Sequence, residues 1–156
     1  MIGTGDRLPA FSLPDQDGRE RTFATLSGPK GLVLYFYPKD DTPGCTLEAT
    51  DFQRLLTRFR AAGYEVAGVS RDGAASHGRF REKHGLAFPL LTDADASFSS
   101  VVGAFGEKVL YGRKSVGMIR STLVVDRDGT VRKSYPKVSA KGHAEAVLRF
   151  LEGGGS

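Results

Sequence analysis

The chain has 156 residues, 40% of them hydrophobic and 26% charged, which suits one domain with one core and argues against wholesale disorder. Its 22 Lys and Arg against 18 Asp and Glu leave a net charge of +4, scattered without a basic run of five, so nucleic-acid binding is not expected. The single cysteine excludes an internal disulfide and a multi-thiolate metal site, and the longest apolar run, Leu32 to Tyr37, is far shorter than the roughly 20 residues of a membrane span.

The start, Met1-Ile2-Gly3-Thr4-Gly5-Asp6, lacks the basic and apolar stretches of a signal peptide, so a cytoplasmic protein without membrane contact is expected. Residues 1–152 read as a single domain and 153–156, Gly-Gly-Gly-Ser, as a flexible tail. In chain order, Asp15-Gln16-Asp17-Gly18 is a turn signal between Ala10–Leu13 and Arg19–Phe23, predicting an N-terminal β-hairpin. Gly31–Tyr37 is a continuous apolar run of the kind buried on both faces of a sheet. A loop after Pro38 leads to a helix over Pro43–Ala62, whose Phe52, Leu55, Leu56 and Phe59 form one stripe, closed by Gly63.

Tyr64–Ser70 predicts a second strand, Ala74–His84 a second helix ended by Gly85, Pro89–Leu91 a short extended piece and Ala96–Phe105 a short helix. Arg120–Asp126 and Thr130–Tyr135 are strands joined by the turn Asp126-Arg127-Asp128-Gly129. Ala140–Glu152 closes the chain as an amphipathic helix with Ala144, Val147, Leu148 and Leu151 on one face. A crossover helix makes the first two core strands parallel, while the late hairpin adds an antiparallel pair. The expected fold is therefore α/β and thioredoxin-like, a mixed central sheet with helices on both faces and an N-terminal β-hairpin.

The chemically informative stretch is Tyr37-Pro38-Lys39-Asp40-Asp41-Thr42-Pro43-Gly44-Cys45-Thr46-Leu47-Glu48. Thr42 is a favoured N-cap type and Pro43 a favoured first helical residue. Cys45 then falls in the first turn, where unpaired N–H groups and the positive end of the helix dipole favour a thiolate. A lone cysteine is most often an inert small hydrophobe. An inert cysteine, however, does not require this strand, Pro-loop and helix approach, whereas a reactive thiol gains a shield from Pro38 and an orienting hydroxyl from Thr42.

Pro38, Thr42 and Cys45 form a Pro-x-x-x-Thr-x-x-Cys pattern, within the longer Asp41-Thr42-Pro43-Gly44-Cys45-Thr46-x-Glu48. It resembles the signature of the peroxiredoxins, and of their Q-type branch, the bacterioferritin comigratory proteins. The resemblance continues through Ser70-Arg71-Asp72, Phe88 to Asp93, Gly117 to Thr122 and His143 to Leu148. It implies a thiol-dependent peroxidase that reduces hydrogen peroxide and organic hydroperoxides without a cofactor or metal, through a cysteine sulfenic acid. In this resemblance Cys45 matches the peroxidatic cysteine, Thr42 the hydroxyl that meets the peroxide, Pro38 the shield and Arg120 the family's distant arginine. An arginine beside Met118, Ile119, Leu123 and Val124 is unusual unless its charge is used; its plainer reading is an outward-facing strand residue. Glu48 also matches the branch, though a first-turn acid is equally expected as a dipole partner.

One departure is clear: many Q-type members carry a resolving cysteine five residues after the peroxidatic one, and that position is Thr50 here. The reductant would then be an external thiol such as thioredoxin or glutaredoxin, and over-oxidation becomes a hazard. The family implies a monomer or homodimer. A dithiol oxidoreductase is disfavoured because Thr42 stands where the first thiol of a Cys-x-x-Cys belongs, while a non-enzymatic redox sensor or chaperone would use the same reactive cysteine. The histidines, His77, His84 and His143, are too dispersed for a local metal motif, and His77 and His84 are expected as solvated positions on one helix.

Overall fold

A computed structural model describes residues 1–153, so residues 154–156 of the expected tail lie outside the described residues. The N-terminal hairpin is present but short: β1 (Leu13–Pro14) pairs antiparallel with β2 (Glu20–Arg21). Phe23, expected at its end, instead opens a one-turn helix, α1 (Phe23–Leu26). The reason is a local capping box, in which Thr25 N donates to Thr22 Oγ1 and Thr22 N donates to Thr25 Oγ1.

All six residues of β3 (Gly31–Phe36) are buried, as an apolar run between two helical layers should be. The long helix expected over Pro43–Ala62 is broken into α2 (Pro43–Arg54) and α3 (Leu56–Ala61) at Leu55, whose backbone leaves the helical region at φ −100°, ψ 2°. The predicted stripe survives the break, since Phe52, Leu55, Leu56 and Phe59 are all buried. β4 (Tyr64–Ser70) and α4 (Ala74–His84) match their expected bounds, with Gly85 left-handed at φ 63° after the helix. β5 (Leu90–Thr92) and α5 (Ser97–Val102) follow.

A hairpin that sequence reading missed comes next: β6 (Phe105–Leu110) and β7 (Arg113–Met118), joined at Tyr111-Gly112 with φ of 52° and 77°. A two-residue turn with both residues left-handed matches strand twist, but tyrosine is an unusual occupant, and most of β7 is exposed, so neither the turn signal nor an apolar face marked it. The chain then enters β8 (Ser121–Asp126), β9 (Val131–Tyr135) and α6 (His143–Glu152). Arg120 was expected as the first residue of that strand; it stands just before it, in the elbow between β7 and β8.

The central sheet has the order β5-β4-β3-β8-β9, with β3, β4 and β5 mutually parallel and β8 and β9 added antiparallel. Alternate residues of β3 supply two cores. Val33 and Tyr35, with Tyr37 beyond the strand, face α2, α3, α4 and α6, while Leu32, Leu34 and Phe36 face α1 and α5. This is the expected mixed sheet with helices on both faces. Phe36 pairs with Ser121 across β3 and β8 and with Val69 across β3 and β4. The register therefore brings Pro38, Arg120 and the start of α4 to one end of the sheet, where α2 also begins. Among the described residues, no helix is long and apolar enough to cross a membrane.

Candidate active site

Thr42 takes an extended backbone (φ −93°, ψ 156°) and Pro43 follows at the first helical position, so α2 starts where expected. Thr46 N donates to Thr42 O at 2.8 Å and closes the first turn, which leaves the N–H groups of Gly44 and Cys45 without intrahelical acceptors. Thr42 does not cap the helix through its side chain. Its hydroxyl donates to Lys39 O at 2.8 Å, committing its one proton and leaving oxygen lone pairs for an incoming O–H.

Cys45 lies at the base of this turn and is only 1% exposed. Arg120 reaches it from the β7–β8 elbow, Nη2 standing 3.3 Å from Sγ. The approach is close because position 44 is glycine: a Cβ there would stand 3.1 Å from the same Nη2. The other nitrogen, Nη1, donates to Glu48 Oε1 at 2.7 Å. Cys45 and Glu48 are three residues apart on one helix face, so a single forked guanidinium meets both.

Glu48 is not the solvated dipole partner of a first turn: it lies beyond that turn and is fully buried, with Oε2 lacking a hydrogen-bond partner. Burial pushes its carboxyl up to about 7, against the pull of the Arg120 charge and hydrogen bond. Burial works against the charge on Arg120 too, but Glu48 and Cys45 outweigh it and hold the guanidinium above its ordinary value. Beneath them the Tyr35 hydroxyl is buried without a partner, and burial with the nearby Glu48 keeps it protonated. His143 bonds Thr122 Oγ1 through Nε2 at 2.8 Å, and burial reinforced by the Arg120 charge pushes it down to about 4.

The structure thus brings Cys45 and Arg120 into contact and sets Thr42 three residues before the sulfur. Pro38 and Arg120 together border a cavity of about 240 Å³. Val109, Met118, Ile119 and Val138 give it an apolar wall, to which the missed β6–β7 hairpin contributes. Among the described residues there is no cluster of three or more metal-ligating side chains.

The expectation for the helix histidines needs correction. His77 is completely buried, its Nδ1 2.7 Å from Asp40 Oδ2 and its Nε2 3.0 Å from Leu91 O, and His84 is largely covered beside Asp41. Asp40 and His77 are 37 residues apart, so no local spacing could have paired them.

Comparison with known proteins bears on this arrangement. Residues 4–134 match the AhpC/TSA family. Over 148 residues the chain is 43% identical to peroxiredoxin Bcp of Xanthomonas campestris, covering 93% of this chain and 92% of that protein. It is 37% identical over 151 residues to peroxiredoxin Bcp of Escherichia coli, covering 97% and 96%. Among solved structures, peroxiredoxin Q of Xanthomonas campestris superposes with a TM-score of 0.83 at 42% identity, over 91% of this chain and 89% of that one. The bacterioferritin comigratory protein of the same organism, described for its alkyl peroxide reduction activity, superposes with a TM-score of 0.84 at 40% identity, over 94% and 92%.

Proposed function

The chain belongs to the AhpC/TSA family and is a thiol-dependent peroxidase, and from that premise we propose that Cys45 is its peroxidatic residue, working through a sulfenic acid with an external thiol as reductant. The observation that carries this reading is the 3.3 Å contact of Arg120 Nη2 with Cys45 Sγ at the start of a helix. In the first step the Cys45 thiolate attacks the terminal oxygen of a hydroperoxide. An S–O bond forms, the O–O bond breaks, and the leaving alkoxide or hydroxide takes a proton to depart as alcohol or water. Negative charge spreads over both oxygens in the transition state, and Arg120 with the N–H groups of Gly44 and Cys45 are donors suited to meet it. The Thr42 oxygen accepts from the peroxide O–H, and Pro38 shields the pocket.

The second step uses a thiol from outside. With one cysteine in the sequence, and Thr50 at the usual resolving position, the sulfenic acid is attacked by an external thiolate; the S–O bond breaks, water leaves and a mixed disulfide forms. A second external thiol then releases Cys45. Thioredoxin or glutaredoxin supplies such thiols in a reducing compartment such as the cytoplasm. Because Cys45 is buried, the reductant reaches it only when the first turn of α2 opens. The apolar wall beside Pro38 and Arg120 supports organic hydroperoxides as substrates alongside hydrogen peroxide.

The test is one equivalent of hydrogen peroxide added to the reduced protein, followed by dimedone trapping and mass measurement, with Cys45→Ser beside it. A single dimedone adduct on Cys45, and sustained peroxide consumption once thioredoxin or glutaredoxin is supplied, is the expected result. Adduct formation without turnover under any thiol would instead favour a redox sensor or chaperone, and an unreactive Cys45 would overturn both.

A further inference from the structure

The loop over 38–42, which carries Pro38 and Thr42, is tied to α4 from two sides by adjacent aspartates. Asp41 holds a left-handed backbone, φ 59°, and turns outward to Lys83 Nζ at 2.9 Å and His84 Nε2 at 3.2 Å. Asp40 turns inward. Its carboxylate accepts from Tyr37 Oη at 2.5 Å and Ser76 Oγ at 2.8 Å, and meets His77 Nδ1 at 2.7 Å. Its own backbone N–H donates to Asp72 Oδ2 at 2.9 Å, which Ser70 Oγ fixes from β4 at 2.7 Å.

Proton accounting sets the character of the inner tie. His77 Nε2 faces Leu91 O at 3.0 Å, and a carbonyl only accepts, so Nε2 carries a proton. Burial pushes the Asp40 carboxyl up, but the bonds from His77 and Tyr37 outweigh it and hold it below its ordinary range, so it is an acceptor. The other ring nitrogen of His77, Nδ1, stands 2.7 Å from the Asp40 carboxylate, so the His77 ring bridges the loop and β5. Such a buried polar cluster is weak as a source of stability, since apolar residues of equal volume would pack without the desolvation cost. What it provides is a single loop conformation, because Asp40 lies midway between Pro38 and Thr42.

We propose that Asp40 and His77 are positioning residues for peroxide reduction, holding the 38–42 loop so that Pro38 and Thr42 keep their places around the Cys45 sulfur. The inference rests on Cys45 being the thiol that reacts with peroxide. It separates two reactions of the same sulfur: attack on a peroxide needs Thr42 and Pro38 in place, whereas alkylation by iodoacetamide does not.

The test measures both rate constants for wild type, His77→Leu, His77→Asn and Ser76→Ala. His77→Leu should slow oxidation of Cys45 by hydrogen peroxide about tenfold or more while alkylation stays within about twofold or rises. His77→Asn, whose amide N–H occupies the place of Nδ1, should recover most of the peroxide rate. Ser76→Ala removes one donor to Asp40 without stranding a group, and should show the same split at roughly two- to threefold, which keeps the test open should His77→Leu not fold. An unchanged peroxide rate in a folded variant, or a parallel fall of both rates, would overturn the positioning role. A wild-type Cys45 that alkylates but ignores peroxide would overturn the underlying reading of the site, and this one with it.

Discussion

Arg120 and Glu48 form a buried ion pair, Nη1 to Oε1 at 2.7 Å, and that pair is what turns the other arm of the guanidinium onto the Cys45 sulfur. The two residues are 72 positions apart in sequence. They meet because the β3–β8 register returns the chain to the end of the sheet where α2 begins. Glu48 is fully buried with one oxygen unpartnered, so the pair is poor at stabilising the fold and good at aiming Arg120.

This division predicts how mutations separate. Arg120→Ala should lower the rate of Cys45 oxidation by peroxide about 100- to 1,000-fold. It should also cost roughly 1–3 kcal/mol of stability, because Glu48 is left buried without its hydrogen-bond partner and, with the Arg120 charge gone, holds its proton. Adding Glu48→Gln to Arg120→Ala should restore most of the stability and none of the rate. Urea melts and peroxide competition kinetics on the two variants decide it; a rate recovered without Arg120 would contradict the role of the guanidinium at the sulfur.

For Thr42 the decisive feature is the hydroxyl's donation to Lys39 O, which leaves the oxygen free to accept. Thr42→Val keeps the shape and loses the acceptor, and should slow peroxide reduction about 10- to 100-fold. Thr42→Ser keeps the acceptor and should stay within about threefold of wild type. A slow Thr42→Ser beside an unaffected Thr42→Val would mean that the methyl group, not the oxygen, matters.

How much of this was legible in the sequence depended on whether the signal was local. The Pro38, Thr42 and Cys45 approach was readable because one loop and one helix start hold all three. The buried strand Gly31–Phe36 and the helix Ala74–His84 were readable from apolar continuity and from Gly85. Arg120 stood out only as a charge among apolar neighbours that a resemblance explained, and its link to Glu48 could not be seen because strand register creates it. The Asp40–His77 contact was hidden likewise, and His77 looked solvated because a mostly polar helix surrounds it. The β6–β7 hairpin escaped because most of β7 is exposed and its turn uses Tyr111 in a left-handed conformation.

Thr50 offers a test of the missing second thiol. It sits five residues after Cys45 on the same helix, bonding Thr46 O at 2.9 Å, and in helical geometry that spacing puts the two Cα atoms about 8.6 Å apart. A disulfide needs less than about 7 Å, so Thr50→Cys closes one only if the turn unwinds. After one equivalent of peroxide the variant should lose two hydrogens in mass and lose helical circular dichroism, whereas wild type should keep its helix and accumulate sulfinic acid at higher doses. Retention of full helicity in a disulfide-bonded variant would show that α2 need not open.

The pH dependence of stability follows from two buried groups that act in opposite directions. Glu48 is pushed from its ordinary 4.5 up to about 7, so between those values the folded chain holds a proton that the unfolded chain releases. Its contribution is full below pH 4.5 and is lost as pH rises through 7. His143 is pushed from 6.5 down to about 4, so the unfolded chain takes up a proton that the folded chain refuses, and its contribution is full above pH 6.5 and lost as pH falls through 4. At roughly 1.4 kcal/mol for each tenfold change in proton affinity, each contributes up to about 3 kcal/mol across its window. The two slopes cancel in wild type, whose melting temperature should be nearly level from about pH 5 to 6.5 as far as these groups decide it. His143→Asn should uncover the Glu48 slope, melting about 5 °C higher at the acid end, and Glu48→Gln the reverse. Melting curves for the three proteins across this range test the balance; parallel profiles would mean that these two groups do not titrate in opposition.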